Sequence, residues 1–445
     1  MRHAATSCLI LTMLVLPLSA QDQDGGGFSL NSETRLTSGE DLPADPNGET
    51  GAIVLTQSLD AGYTTATRTQ SLTFGLAGTF GCSDASGCYG LSGQSTDLAY
   101  TRDGSRSRVG LSANYQSSAV YFGDILPEDG GIIDPDALTA DTGTLSRGNY
   151  SADLVLGIDR PLGLTLATGG QILRYEDVEI DTLSDKETYT LDADLRLAVS
   201  PALAAHLVAG GSFYRADDAE ETERESTNFG FGLTAHLDAT TTLGGDVRAT
   251  RIEITESGTS RTTDGVTTHL NATRETATAD YSADLIWVSD DPFQRSTLRF
   301  GRVAERPRGV LSFALGVSET ATDPALIGQI EWQEDLSRSQ LRITASRSVR
   351  VSDDETDRVL TRASLRHSQE LDRPLTLTLS TELAQVEDLS AGGDTTYRAN
   401  VGIDLAYDFT RDWVAAVGAG VDRSDRDGSD ADTAANVYIA LRRGF

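Results

Sequence analysis

The chain has 445 residues, with 36 Lys and Arg against 67 Asp and Glu, for a formal net charge of −31 at pH 7. That carboxylate surplus excludes nucleic acid as a partner, because phosphate binding needs clustered basic side chains; it suits a surface facing cations or salty water, and equally an acidic surface with no particular partner. After the N-terminal segment no run of about 18 apolar residues occurs, so no transmembrane helix is expected, and a membrane-spanning form would have to hide its apolar residues in alternation.

Residues 1–20 read as a secretory signal peptide. Arg2 and His3 precede a largely apolar stretch from Cys8 to Leu18, and Leu18-Ser19-Ala20 offers a small-residue cleavage site before Gln21. No cysteine follows closely, which argues against a lipid-modified N-terminus. A short tail, residues 21–27, then leads into the fold. Cys82 and Cys88 are the two cysteines left after cleavage. In an exported chain an even pair this close reads as one disulfide across a tight loop; a metal site would need two more soft ligands, and none lie nearby.

From about Phe28 onward the pattern repeats: stretches of about ten residues alternate apolar and polar, then a cluster of Asp, Gly, Ser, Thr or Pro intervenes. Leu191, Ala193, Leu195, Leu197 and Val199 alternate with Asp192, Asp194 and Arg196. Phe229, Phe231, Leu233, Ala235 and Leu237 alternate with Asn228, Gly230, Gly232, Thr234 and His236. This is the period of strands with one apolar face. No Pro-rich or Ser-rich linker interrupts it, so residues 28–445 are expected to form one large architecture rather than two or three domains. The breaks alternate in length: Ser200-Pro201-Ala202, Asp238-Ala239-Thr240 and Thr410-Arg411-Asp412 are short, whereas 181–186, 217–225, 256–264 and 422–432 are longer. Windows running from 28–36 to 433–445 predict about 18–22 strands, an even number if both ends lie on one side of a membrane. A barrel of that size cannot be filled by its own strand side chains and must hold a lumen, a plug or both.

The longest irregular stretch, 122–147, carries Ile125, Leu126, Ile132, Ile133 and Leu138 among Asp and Gly. Apolar residues are poorly placed in a loop in water, so it either folds into the barrel mouth or packs on neighbouring loop tips. Arg342 and Arg350 lie on the polar face of one predicted strand, and Arg358, Arg362 and Arg366 on that of the next. Arginine facing hydrocarbon costs about 2–4 kcal/mol at mid-membrane, so these five should point inward. With Glu382, Asp404 and Asp408 elsewhere on the wall they give either a transverse field across a pore or ion pairs that close the lumen. The acidic run Asp422-Arg423-Ser424-Asp425-Arg426-Asp427-Gly428-Ser429-Asp430-Ala431-Asp432 lacks the spaced Glu of a Ca²⁺ loop, and its arginines oppose a cation; it reads as a solvated loop. No metal site, catalytic residue or cofactor is expected. His206, His236, His269 and His367 each stand alone on a strand pattern, and no hydrolase or nucleotide motif is present, although a Ser/His site could form across strands unseen by sequence.

The chain closes on Val437, Ile439 and Leu441, two apart on one face, and a terminal Phe445. This ending resembles the last strand of Gram-negative outer-membrane β-barrels, porins among them; Arg443 departs from it, since an apolar residue is more usual there. The resemblance implies an all-β, up-and-down antiparallel barrel in the cell outer membrane, with short periplasmic turns, longer external loops and the 21–27 tail in the periplasm. It implies that Val437, Ile439, Leu441 and Phe445 serve as the signal read by the barrel-insertion machinery after periplasmic chaperones. Lipid and lipopolysaccharide would surround the wall. The expected function is a porin-like channel for passive diffusion of small hydrophilic solutes; the alternative is a closed or plugged barrel serving surface-polysaccharide export or anchoring.

Overall fold

The computed structural model describes residues 26–39, 52–84, 87–119, 143–176, 184–288, 295–319, 324–351, 357–372, 374–389, 395–426 and 431–445. They form one closed sheet of 22 strands, and none of them is helical. In chain order the strands are β1 (Gly26–Gly39), β2 (Ala52–Ala66), β3 (Gln70–Ser83), β4 (Gly87–Asp103), β5 (Ser107–Ala119), β6 (Thr144–Leu156), β7 (Leu162–Glu176) and β8 (Lys186–Ser200). There follow β9 (Leu203–Ala216), β10 (Glu223–His236), β11 (Thr241–Glu256), β12 (Thr259–Glu275), β13 (Ala279–Val288), β14 (Arg295–Arg306) and β15 (Gly309–Glu319). The last seven are β16 (Ala325–Asp335), β17 (Ser339–Val351), β18 (Asp357–Asp372), β19 (Leu375–Asp388), β20 (Thr395–Asp408), β21 (Trp413–Arg426) and β22 (Asp432–Gly444).

Every strand pairs antiparallel with its neighbours in sequence. β1 then pairs with β22, from Asn31↔Gly444 to Gly39↔Asn436, and the sheet has no free edge. Closure is what lipid demands, since no water is available there for unpaired backbone groups. The strand count meets the upper end of the sequence expectation.

Alternation sorts the side chains. Phe229, Phe231 and Leu233 on β10, and Val437, Ile439 and Leu441 on β22, stand on the outer face, with Phe231 and Ile439 each 65% exposed. Bare apolar surface repeated around the wall is untenable in water and is the surface a bilayer covers. Their neighbours Asn228, Asn436, Tyr438 and Arg442 take the lumen face.

The two ends differ. At one end every connection is short: 67–69, 104–106, 157–161, 201–202, 237–240, 276–278, 307–308, 336–338, 373–374 and 409–412. The other end carries the longer ones, including 40–51, 120–143 and 177–185. In outer-membrane barrels the short-turn end is periplasmic. Aromatic contacts mark both rims. Tyr150, Tyr189 and Phe213 sit side by side on the outer face toward the long-loop end, with ring centroids 6.4 Å apart in each step. At the short-turn end Phe409 stacks on Trp413 at 6.3 Å, and the Arg443 guanidinium lies 5.0 Å from the Trp413 ring and 4.0 Å from that of Phe445. Arg443, the misfit of the last strand, is thereby held among aromatic rings at the interface, where a basic head reaches water. Cys82 and Cys88 are register partners on β3 and β4 and are disulfide-bonded.

Several boundaries differ from the sequence expectation: Gly26 and Gly27, placed in the tail, open β1, and Lys186 and residues 223–225, placed in breaks, belong to β8 and β10. The break expected at 256–264 is only Ser257-Gly258, whose φ values of 49° and 76° fit a two-residue hairpin turn with both central residues left-handed. β12 therefore starts at Thr259, and Asp264 is a strand residue. The acidic run beginning at Asp422 is strand as far as Arg426, because β21 continues its ladder with β20 there. Thr144–Arg147 likewise belong to β6; the remainder of the 122–147 stretch, apart from Gly143, lies outside the described residues, as do residues 1–20, expected to be a signal peptide.

Candidate functional site: the lumen wall

The lumen face is built from the polar phase of each strand, and hydrogen-bonded rows run across it. Asn149 Nδ2 donates to Asn114 Oδ1 at 2.9 Å, and Gln171 Nε2 to Asn149 Oδ1 at 3.0 Å, linking β5, β6 and β7. On β12, His269 stands 3.7 Å from Asp246 and 3.9 Å from Asp284, which also pair with Arg248 and Arg299. Among the described residues no group of His, Cys, Asp and Glu is arranged to hold a metal ion.

Of the arginines predicted to line the lumen, Arg342, Arg358, Arg362 and Arg366 fall on its inward phase, on β17 and β18, and the Arg350 side chain lies outside what the structure describes. Arg342 and Arg366 are register partners, as are Arg350 and Arg358. Arg342 donates to Gln333 at 3.3 Å, and Arg358 lies 3.8 Å from Asp388. Glu382 on β19 is the partner of Ser364, one step diagonally from Arg362 and within its electrostatic reach. Asp404 accepts a 2.5 Å hydrogen bond from the Tyr438 hydroxyl and lies 3.8 Å from Arg442. Asp408 ends β20 at the short-turn rim. Glu382 thus neighbours the arginines, and Asp404 is engaged by β22; the carboxylates do not form a separate wall facing the basic one.

Sequence patterning missed two features. The first is the closing seam. Glu33 on β1 binds Arg35 at 2.8 Å and Arg442 of β22 at 2.6 Å, while the Arg35 guanidinium lies 4.2 Å over the Tyr438 ring. These residues stand on the inward phase of their strands, but only the closure register brings them together. The second is Arg147 on β6. Asn149, two residues on, belongs to the lumen row that joins β5, β6 and β7, so Arg147 adds a basic group to the inward phase of β6. Two inward residues of β20 and β21 are well covered: Arg398 is 7% exposed and Asp422, which accepts from Asn400, is 8% exposed.

No protein-family model and no curated protein matches the chain. Solved structures do. The FrpB iron transporter from Neisseria meningitidis aligns with a TM-score of 0.59 at 8% identity, covering 96% of this chain and 83% of that one. BauA, the ferric preacinetobactin receptor of Acinetobacter baumannii, aligns at 0.54 and 10% identity, covering 96% and 80%. A mutant of the ferric enterobactin receptor PfeA of Pseudomonas aeruginosa aligns at 0.51 and 10%, covering 96% and 81%. At such identities the likeness is one of fold. With its closed 22-strand sheet, its lipid-facing apolar belt and its aromatic rims, the chain is a Gram-negative outer-membrane β-barrel.

Proposed function

We propose that the barrel conducts small hydrophilic solutes across the outer membrane by passive diffusion, with selectivity set by the arginine strip of β17 and β18. The observation that carries this reading is the placement of Arg342, Arg362 and Arg366 on the inward phase of two paired strands. Like charges along the wall repel cations and lower the barrier for anions, which favours small anionic solutes. The wall elsewhere is polar and hydrogen-bonded, as a water-filled path requires. Structural neighbours described as an iron transporter, a ferric preacinetobactin receptor and a ferric enterobactin receptor support solute passage as the theme of this architecture. On the same reading Val437, Ile439, Leu441 and Phe445 present the outward signal for the insertion machinery.

Single-channel recording in planar bilayers tests the idea. The purified protein is expected to give discrete current steps with a reversal potential favouring anions. Arg362→Glu together with Arg366→Glu should shift that potential toward cations. A folded, heat-modifiable barrel that passes no current would overturn the reading in favour of a closed barrel serving polymer export or anchoring.

A further inference from the structure

Three adjacent strands place Asp194 (β8), His206 (β9) and Thr234 (β10) on the lumen face in one hydrogen-bonded line. His206 Nδ1 lies 3.0 Å from Asp194 Oδ1 and 3.1 Å from Oδ2, and His206 Nε2 lies 3.1 Å from Thr234 Oγ1. A carboxylate only accepts hydrogen bonds, so the ring proton sits on Nδ1. The neutral ring then offers the Nε2 lone pair to the threonine hydroxyl. We propose that this line is an acyl-ester hydrolase site, with Thr234 as nucleophile, His206 as general base and Asp194 as the positioning residue that orients the ring.

The surroundings fit an approaching carbonyl. Across the sheet Thr234 faces Ala204 on β9 and Gly244 on β11, so neither register partner carries more than a methyl group. Asn271 on β12 is the partner of Gly244, and its amide fills the space a Gly244 Cβ would take, with Oδ1 nearer than Nδ2. The substrate class follows from the face: membrane lipids touch the outer surface, so the ester must belong to a small hydrophilic solute that enters the lumen.

The chemistry balances without a co-reactant beyond water. Thr234 Oγ bonds to the ester carbonyl carbon as its proton passes to His206 Nε2, and the alcohol leaves carrying that proton. Water then attacks the acyl-threonine, gives a proton to Nε2, and the carboxylic acid departs as Thr234 regains its hydrogen.

The test uses the full-length purified barrel in detergent with p-nitrophenyl acetate. Wild type should release p-nitrophenol, and acid-quenched protein should carry an acetyl group on the peptide containing Thr234. Thr234→Val and His206→Gln should each lower kcat/KM by about 100-fold or more, while Thr234→Ser retains turnover. Asp194→Asn should lower kcat and leave KM unchanged, an outcome that a merely structural role would not produce. Bilayer conductance is read on the same samples, so failure of the pore reading and failure of this one are separable. Equal turnover by wild type and Thr234→Val, or a wild-type protein that never acquires acetyl at Thr234, would reduce the line to a structural cross-strand ladder and overturn the proposal.

Discussion

At Gly418 the inward face of β21 carries no side chain, and Tyr438 of β22 uses the gap. Asp404, Gly418 and Tyr438 share one row of three strands, so the tyrosine must cross β21 for its hydroxyl to reach Asp404 at 2.5 Å. A Cβ on Gly418 would lie 2.5 Å from the Tyr438 ring and 2.6 Å from the Ile403 carbonyl oxygen, closer than real Cβ atoms approach. Gly418→Val should therefore displace the ring and lower the temperature at which the compact band converts to the unfolded one on gels. Tyr438→Phe removes only the hydroxyl and leaves Asp404 with Arg442, a loss of about 1–3 kcal/mol for a hydrogen bond to a charged group. The two substitutions share one contact, so their effects should be less than additive. A Gly418→Val barrel as heat-resistant as wild type would show that the row is looser than its geometry indicates.

Among elements, the short turns are held by their own side chains. Asp238 Oδ1 accepts from Thr240 N at 2.7 Å, Thr240 Oγ1 at 2.8 Å and Thr241 N at 2.7 Å. These bonds, the Thr240 hydroxyl first among them, favour the ionised carboxylate and hold its pKa below the ordinary aspartate value. A depressed folded pKa means that the contribution to stability is present above the unfolded value and is lost as pH falls through the folded one. Carbon-13 shifts of labelled aspartate should place the Asp238 midpoint below that of an unstructured aspartate peptide, and Asp238→Asn should flatten the acid limb of the unfolding profile. A midpoint at or above the free-peptide value would remove the cap from the account.

That turn was legible because Asp-Ala-Thr carries its own hydrogen-bonding chemistry, and the strands were legible because alternation is a local signal. The Ser257-Gly258 turn was not: Glu256 to Asp264 reads as polar loop until the pairing of Arg251 with Asp264 shows that both strands continue. Arg147 was assigned to a loop for the same reason. The row of Asp194, His206 and Thr234 was beyond local reading altogether. Each residue occupies a polar position in its own strand, and only the registers of β8 with β9 and β9 with β10 bring them together.

For the whole molecule the decisive contact is the seam, where the first strand meets the last across nearly the full sequence. Backbone pairing of β1 with β22 is register-tolerant in principle, since main-chain bonds alone do not distinguish a slip of two residues. Side chains can distinguish it. Glu33 bridges Arg35 on its own strand and Arg442 on the partner, and Arg442 also reaches Asp404. Glu33→Arg would bring three guanidinium groups together in place of an alternating series. Because Glu33 and Arg442 are partly exposed, solvent screening limits the loss to about 1–2 kcal/mol. The stronger expectation concerns closure. Glu33→Arg should slow formation of the compact, heat-modifiable form during refolding into detergent. The exchange Glu33→Arg with Arg442→Glu restores the opposite-sign pair across the seam and should recover much of the rate. If the exchange folds no faster than Glu33→Arg alone, backbone pairing and the outer face of β22 set the register, and the ion pairs merely follow a seam already closed.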